Sequence, residues 1–148
     1  MSVEQPKFDM DASMKRVEEK LALSKKLVDH IMDHEDCGLD GDGYPTEAAL
    51  DVIREWTFQM SDRELFDFIK SIWWMPDWSW SEGLESDEWD KDKQVYRYRI
   101  STGGWSGNES IIQAMQENKW MFWHMHWVQS RRGGHYIFEL KKEDEQEL

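Results

Sequence analysis

The sequence predicts an α+β domain in which three N-terminal helices pack on a small, mainly antiparallel C-terminal sheet with β-α-β-β connectivity. Apolar residues recur at helical spacing in three segments of the first half of the chain. From residue 95 the pattern alternates with a period of two, as it does in strands. Hydrophobic residues make up 39% and aromatic residues 14% of the 148 residues, which excludes intrinsic disorder for the bulk of the chain.

The first two helices are separated by a loop rich in glycine and aspartate. Apolar residues three, four and seven apart predict a helix over residues 12–34, with Asp11 or Ser13 as its N-cap. Residues 35–44 contain three glycines and three aspartates, which is typical of a loop. Pro45 is then predicted to occupy the first position of the second helix.

The third helix is predicted over residues 61–74. Ser61 followed by Glu64 fits a capping box at its start, and Pro76 is expected to end it. Residues 77–92 combine acidic residues, serines and three tryptophans. We interpret this stretch as a loop whose tryptophans hold it against the body of the protein.

The rest of the chain is predicted to form the sheet and one further helix, in the order strand 95–100, glycine-rich turn 102–107, helix 107–116, strand 120–129, loop 130–134 and strand 136–140. The length suits one domain. We expect that domain at residues 11–141, with a helical part at 11–76 and a sheet part at 93–141, between a flexible lead-in at 1–10 and a charged tail at 142–148.

Composition argues against several classes of protein. No run of about 18 apolar residues is present, so we expect no membrane span. The first residues lack a basic region followed by an apolar stretch, so we expect no secretory signal. The single cysteine, Cys37, excludes an internal disulfide framework and suits a reducing compartment. A cytoplasmic location is therefore expected, in the host cytoplasm if a phage encodes the protein.

Charge is distributed unevenly along the chain. The formal net charge of −13 argues against non-specific binding to nucleic acid, because a polyanion is repelled at long range. Residues 93–138 nevertheless contain six basic and only two acidic residues, a local net charge of +4. This asymmetry indicates either an anion site set in an acidic body or arginines that strands expose to solvent.

The glycine-rich turn is the strongest local signal. The string STGGWSGNESII, residues 101–112, combines the end of a strand, a glycine turn and the start of a helix, where backbone N–H groups bind anions. Ser106 and Glu109 fit a capping box, but neither a Walker A motif nor GxGxxG is present. The alternative is a tight turn with a packed indole as its lid. The candidate ligand-binding residues here are Gly103, Gly104, Trp105, Ser106, Gly107 and Asn108.

Arginines form the second part of the predicted site. Arg131 and Arg132 lie at a predicted hairpin tip beside glycines, where they suit a bidentate grip on phosphate or carboxylate. Arg97 and Arg99 alternate along the first predicted strand. A solubilising hairpin tip is the alternative. The two signals support each other only if the hairpin and the glycine-rich turn lie at the same end of the sheet.

Several groups of residues have spacings found in metal sites, although no metal ion or other cofactor is predicted. Histidines two residues apart suit one face of a strand, and histidines four residues apart suit one face of a helix. The loop at 36–47 resembles an EF-hand loop only in part, because Gly38 stands where an oxygen ligand is needed. The two histidine groups are His124, His126 and His135, and His30, His34 and Cys37.

Ten tryptophans are more than a chain of this size is expected to bury completely. Some of them are expected to line a groove or an interface, where tryptophan is enriched. Aromatic rings beside arginines are also typical of sites that stack a base or nucleotide. A tryptophan-rich core is the alternative explanation.

Three strings in the C-terminal third carry a resemblance to a known family: RISTGGWSGNESII, MFWHMHW and SRRGGHYIFEL. With DGYPTEAALDVIREW upstream, the chain resembles a small uncharacterised protein family carried by bacteriophages and prophages. The resemblance covers about residues 42–140. It implies a host cytoplasm as the setting and no particular activity.

These observations predict a non-enzymatic accessory binding protein of phage or prophage type, with an anion site at the glycine-rich turn and the arginine edge. The ligand is a nucleotide, a nucleic acid or an acidic patch on a host protein. The alternative is an acidic interaction or inhibitor protein that acts on a host factor, for example by imitating the charge of DNA. An enzyme ranks last, because no motif pairs a nucleophile with a base or two catalytic carboxylates. The oligomeric state is left open.

Overall fold

The computed structural model describes residues 9–34 and 36–141 and confirms the α+β class, with helices first and an antiparallel sheet at the C-terminal end. Six helices and four strands follow one another in these two ranges. The helices are α1 Met10–Met32, α2 Glu47–Glu55, α3 Asp62–Ile72, α4 Pro76–Ser79, α5 Ser106–Gln116 and α6 Phe122–His126, and the strands are β1 Trp80–Ser86, β2 Gln94–Ser101, β3 Trp127–Arg131 and β4 His135–Lys141.

The sheet has the strand order β1-β2-β4-β3, and every neighbouring pair is antiparallel. β2 and β4 are the central strands, and their register runs from Val95 opposite Lys141 to Ser101 opposite His135. The C-terminal end of β2 therefore lies beside the start of β4 and the tip of the β3–β4 hairpin.

Alternation along the central strands gives the sheet two different faces. Tyr98 and Ile100 of β2 and Phe138 of β4 are buried in the core that the helices cover. Phe66 of α3 stacks on Tyr98 with ring centroids 3.9 Å apart, so α3 packs directly on this inner face. Arg99, between Tyr98 and Ile100 in β2, points to the outer face and is half exposed.

The predicted loop at 77–92 is wrong, because it contains α4 and β1. β1 lacks an alternating apolar pattern, since it is an edge strand held by its pairing with β2. Glu82 at its centre accepts hydrogen bonds from the Tyr96 hydroxyl at 2.7 Å and the Trp80 indole at 3.0 Å. Backbone pairing and these polar contacts take the place of the apolar side chains that a sequence pattern detects.

The predicted strand at 120–129 is also wrong in its first half, which forms α6 before β3 begins. Asn118 Oδ1 accepts hydrogen bonds from the main-chain N–H groups of Trp120 and Phe122. Met121 adopts a left-handed backbone with φ of 70°. This arrangement starts a helical turn, so the connectivity is β-β-α-α-β-β rather than the predicted β-α-β-β.

The starts of the first two helices differ from the sequence prediction. Asp9, rather than Asp11 or Ser13, caps α1 by accepting from Ala12 N at 3.1 Å. Thr46 caps α2, so Pro45 lies before the helix and not at its first position.

Of the next two predicted helix starts, that of α3 agrees with the prediction and that of α5 does not. α3 starts as predicted, with Ser61 Oγ accepting from Glu64 N at 3.2 Å. α3 ends at Ile72, and Pro76 is the first residue of α4. α5 starts at Ser106 behind Trp105, which makes no side-chain cap bond, so the predicted capping box is absent at this helix. The expected tail at 142–148 and all but the last two residues of the expected lead-in lie outside the described residues.

Candidate functional site

An open concavity of about 690 Å³ lies on the outer face of the sheet, at the C-terminal end of β2. Its lining comes from all four strands, from α4 and from the β1–β2 turn. Arg99, Arg131 and His135, on β2, β3 and β4, form its cationic wall. Asp77 and Trp78 of α4 form the wall towards the β1 edge of the sheet, opposite the β3 edge that carries Arg131, and Glu88 lines the concavity from the β1–β2 turn.

The glycine-rich turn and the arginine hairpin meet at this end of the sheet. The main-chain N–H of Thr102 donates to the carbonyl oxygen of Gly134 at 3.0 Å. Gly134 has φ of 79°, and a Cβ added to it would lie 2.3 Å from Thr102 Oγ1. The close approach of the two loops therefore depends on glycine at this position.

Arg99 belongs to the cationic wall and retains donors for a ligand. Arg99 donates two hydrogen bonds to the Glu85 carboxylate, from Nη1 at 2.6 Å and from Nη2 at 2.9 Å. These bonds hold the pKa of the Glu85 carboxyl below its usual range. A guanidinium has five N–H groups, so three remain, and 49% of the Arg99 side chain is exposed. Glu85 thus fixes the position of Arg99 without occupying it fully.

Ser101 and His135 form a polar pair in the lining of the concavity. The sequence indicated His135 only as a metal candidate and did not indicate Ser101 or the pair. Ser101 Oγ lies 2.6 Å from His135 Nδ1, across the β2–β4 register. Within the described parts of the chain, Nε2 of this ring has no hydrogen-bond partner. The pair therefore orients the imidazole and leaves Nε2 to a ligand, but it lacks the third group that orients a catalytic base.

The opposite wall carries an indole at the rim. Trp78 is 85% exposed and lies on α4 between Asp77 and Ser79. Ser79 Oγ donates to the Met75 carbonyl at 2.7 Å and accepts from Trp73 Nε1 at 3.0 Å. These bonds tie the short helix to the core and leave the Trp78 side chain outside it.

Arg97, a predicted ligand residue, lies in a structural ion pair instead. It is buried, and its Nη2 donates to Glu139 Oε1 at 2.7 Å, while its Nη1 lies 3.3 Å from Glu85 Oε1. Arg132 is exposed but does not line the concavity. The arginine edge therefore contributes Arg99 and Arg131 to the candidate site.

The start of α5 is covered by aromatic rings rather than open to an anion. Trp105 stacks between Tyr44 and Trp74, with centroid distances of 4.7 and 5.2 Å. A Cβ added to Gly107 would lie 2.6 Å from Trp105 Nε1, so glycine allows the indole to lie over this helix start. Ser106 Oγ lies 3.5 Å from the Tyr44 hydroxyl. Trp105, Ser106 and Gly107 thus belong to a packed cluster outside the concavity.

Asn108, Gly103 and Gly104 also have a structural role. The Asn108 side chain is buried, accepts from Trp74 N at 2.9 Å and donates to the Thr102 carbonyl at 3.2 Å. Gly103 and Gly104 have φ of 62° and 76°, and they form the turn that follows Thr102 and leads to α5. These residues build the loop that borders the concavity and do not line it.

The histidine groups singled out as metal candidates are not assembled into such a site. His126 is buried, with Nε2 2.7 Å from Asp62 Oδ2 and Nδ1 3.0 Å from the Glu139 carbonyl, while His124 is exposed. His30 and His34 lie with their Nε2 atoms 3.2 Å apart. Among residues 9–34 and 36–141, no group of three or more His, Cys, Asp or Glu side chains is arranged to hold a metal ion.

The remaining metal candidates lie in the α1–α2 loop. Burial raises the pKa of the Cys37 thiol. In the loop that partly resembles an EF-hand, Asp40 Oδ1 accepts from the main-chain N–H groups of Asp42 and Tyr44 at 2.9 and 3.0 Å. These bonds fold the loop on itself as a turn between two helices.

Comparisons with known proteins give no match that bears on the site. No protein-family model matches the chain, and neither the curated proteins nor the solved structures give a match. None of the helices in the described ranges combines the length and the apolar character needed to span a membrane.

Proposed function

We propose that this chain is a non-enzymatic binding protein that holds a small anionic ligand in the concavity on the outer face of its sheet. The observation that carries the proposal is the convergence of Arg99, Arg131 and His135 on one concavity. Guanidinium groups form bidentate, charge-assisted hydrogen bonds with phosphate or carboxylate, and an imidazole adds a further donor.

The charge of the whole protein favours a small ligand over a polymer. The net charge of −13 repels long polyanions, whereas a compact anion interacts mainly with the groups that line the concavity. The carboxylates of Asp77 and Glu88 in the lining repel further negative charge and add to this selection. We therefore favour nucleotides and related phosphate esters over nucleic acid as the ligand. The phage or prophage setting is part of the proposal and rests on the sequence resemblance alone.

A thermal-shift screen with phosphate esters and nucleotides tests the proposal. A ligand at 100 times its Kd adds about 2.7 kcal/mol to stability, which one domain shows clearly. Arg131→Glu is expected to abolish the shift, and Arg132→Glu is the matched control, because the neighbouring arginine does not line the concavity. Equal loss in both variants, or no shift with any anion, contradicts the proposal.

An acidic interaction protein is the second candidate, and one observation favours it. Trp89 is 95% exposed in the β1–β2 turn, where Asp87 accepts hydrogen bonds from the N–H groups of Trp89 and Asp90. An exposed indole among carboxylates suits a basic partner surface. Binding to a purified basic host factor that Trp89→Ala abolishes and Arg131→Glu leaves unchanged would replace the first proposal by this one.

A further inference from the structure

We infer that the ligand is a nucleoside monophosphate or a close analogue, with its phosphate at Arg99, Arg131 and His135 and its base on Trp78. The inference rests on the proposed function and names the class of ligand for that same concavity. It follows from the contrast between the two walls.

The indole of Trp78 provides a stacking surface for a base. Trp80, two residues further along the chain, is buried, whereas Trp78 is 85% exposed and lines the same concavity as the arginines. Every base has a π-face, so an aromatic side chain beside a phosphate site favours a ligand with a planar ring. A phosphate ion alone leaves this surface unused.

Two carboxylates in the lining indicate the remainder of the ligand. Asp77 lies beside Trp78 on α4, and Glu88 comes from the β1–β2 turn. Carboxylates accept hydrogen bonds, and ribose hydroxyls and the amino groups of bases donate them. The same carboxylates repel additional phosphates, so they favour one phosphate group over three.

The size of the concavity agrees with this class of ligand. Its volume of about 690 Å³ lies within the range of about 300–1,000 Å³ that is usual for small-molecule sites.

Calorimetric titration of the full chain tests the inference with three probes: adenosine 5′-monophosphate, ribose 5-phosphate and adenosine 5′-triphosphate. We expect the monophosphate to bind about tenfold more tightly than ribose 5-phosphate, because the base stacks on Trp78. The triphosphate is expected to bind more weakly than the monophosphate.

Two variants locate the effect of the base. Trp78→Ala is expected to reduce the preference for the monophosphate over ribose 5-phosphate to less than about threefold. Trp89→Ala is the matched control and is expected to leave the preference unchanged, because this exposed indole does not line the concavity.

The outcomes separate this inference from the proposed function. Equal affinities for the monophosphate and ribose 5-phosphate would overturn the inference. Tightest binding of the triphosphate would also overturn it. Either result would still be consistent with the proposed anion site. A preference that survives in Trp78→Ala overturns the assignment of the base to this indole. Failure of all three probes to bind contradicts both the anion site and the inference.

Discussion

Thr102 and Gly134 are joined by a hydrogen bond of 3.0 Å between the N–H of the first and the carbonyl oxygen of the second. Through this bond, the turn after β2 and the tip of the β3–β4 hairpin become one end of the sheet. The bond continues the β2–β4 pairing beyond Ser101 and His135, and the β3–β4 pairing places Arg131 opposite His135, so Arg131 lies at the same end of the sheet.

We expect Gly134→Ala to destabilise the protein and to weaken anion binding. The residue has φ of 79°, and its new Cβ would lie 2.3 Å from Thr102 Oγ1. Left-handed backbone at a non-glycine residue costs about 1 kcal/mol or more, and the clash adds to this. Urea unfolding measures the loss. Gly41→Ala is the control, since it has open space around it and no left-handed backbone, and an equal loss there would refute the explanation.

Arg97→Ala is expected to cost about 3 kcal/mol, since it removes one partner of a buried ion pair and leaves the Glu139 carboxylate without it. Arg99→Ala is expected to cost less than about 1 kcal/mol, because that pair is half exposed. Chemical denaturation of both variants tests this contrast. Equal costs would show that the two arginines do not have the different roles assigned to them here.

Tyr98→Phe is expected to leave stability unchanged or to raise it by about 1 kcal/mol. The Tyr98 ring is buried, and its hydroxyl has no hydrogen-bond partner among the described residues. Burial raises the pKa of this phenol, so the hydroxyl stays protonated and contributes only its desolvation cost. The comparison is Tyr96→Phe, which removes a 2.7 Å bond to Glu82 and is expected to destabilise. A clear loss of stability in Tyr98→Phe would indicate a partner for this hydroxyl.

The stability of the edge strand β1 is expected to fall in acid. Burial alone raises the pKa of Glu82, but hydrogen bonds from Tyr96, Trp80 and Lys70 outweigh it and leave the pKa below its ordinary value. A lowered pKa in the folded state gives stability that is complete above the ordinary pKa of glutamate and is lost as the pH falls through the folded-state value.

Urea midpoints measured from neutral pH downward test the role of Glu82. The wild-type protein is expected to lose more stability across the acid range than Glu82→Gln, because the amide does not titrate. Identical pH profiles of the two proteins would show that Glu82 contributes nothing to the acid sensitivity.

The sequence predicted the fold class better than it predicted the lining of the site, and it left open whether the glycine-rich turn and the arginine hairpin meet. Hydrophobic periodicity is strong in α2 and α3, whose apolar residues lie on one buried side. It is absent in β1, where Glu82 and the pairing with β2 hold the strand. Hydrophobic patterns do not detect an edge strand of this kind, because its pairing with the adjacent strand stabilises it.

The composition of the site depends on strand register, which a single sequence does not contain. Arg97 and Arg99 have the same spacing pattern, yet the first lies opposite Glu139 in the register and is buried, while the second is half exposed. Ser101 and His135 are 34 residues apart and become neighbours only through the β2–β4 pairing. Trp105 likewise covers the start of α5 because Tyr44 comes from another part of the chain.

Mapping of amide and indole N–H chemical shifts by NMR during titration with adenosine 5′-monophosphate tests the central claim most directly. The account predicts that the largest shifts fall on Trp78, Ser101 and His135, around the concavity on the outer face of the sheet. Largest shifts at Ser106 and Gly107 would place the anion at the start of α5 and contradict the account.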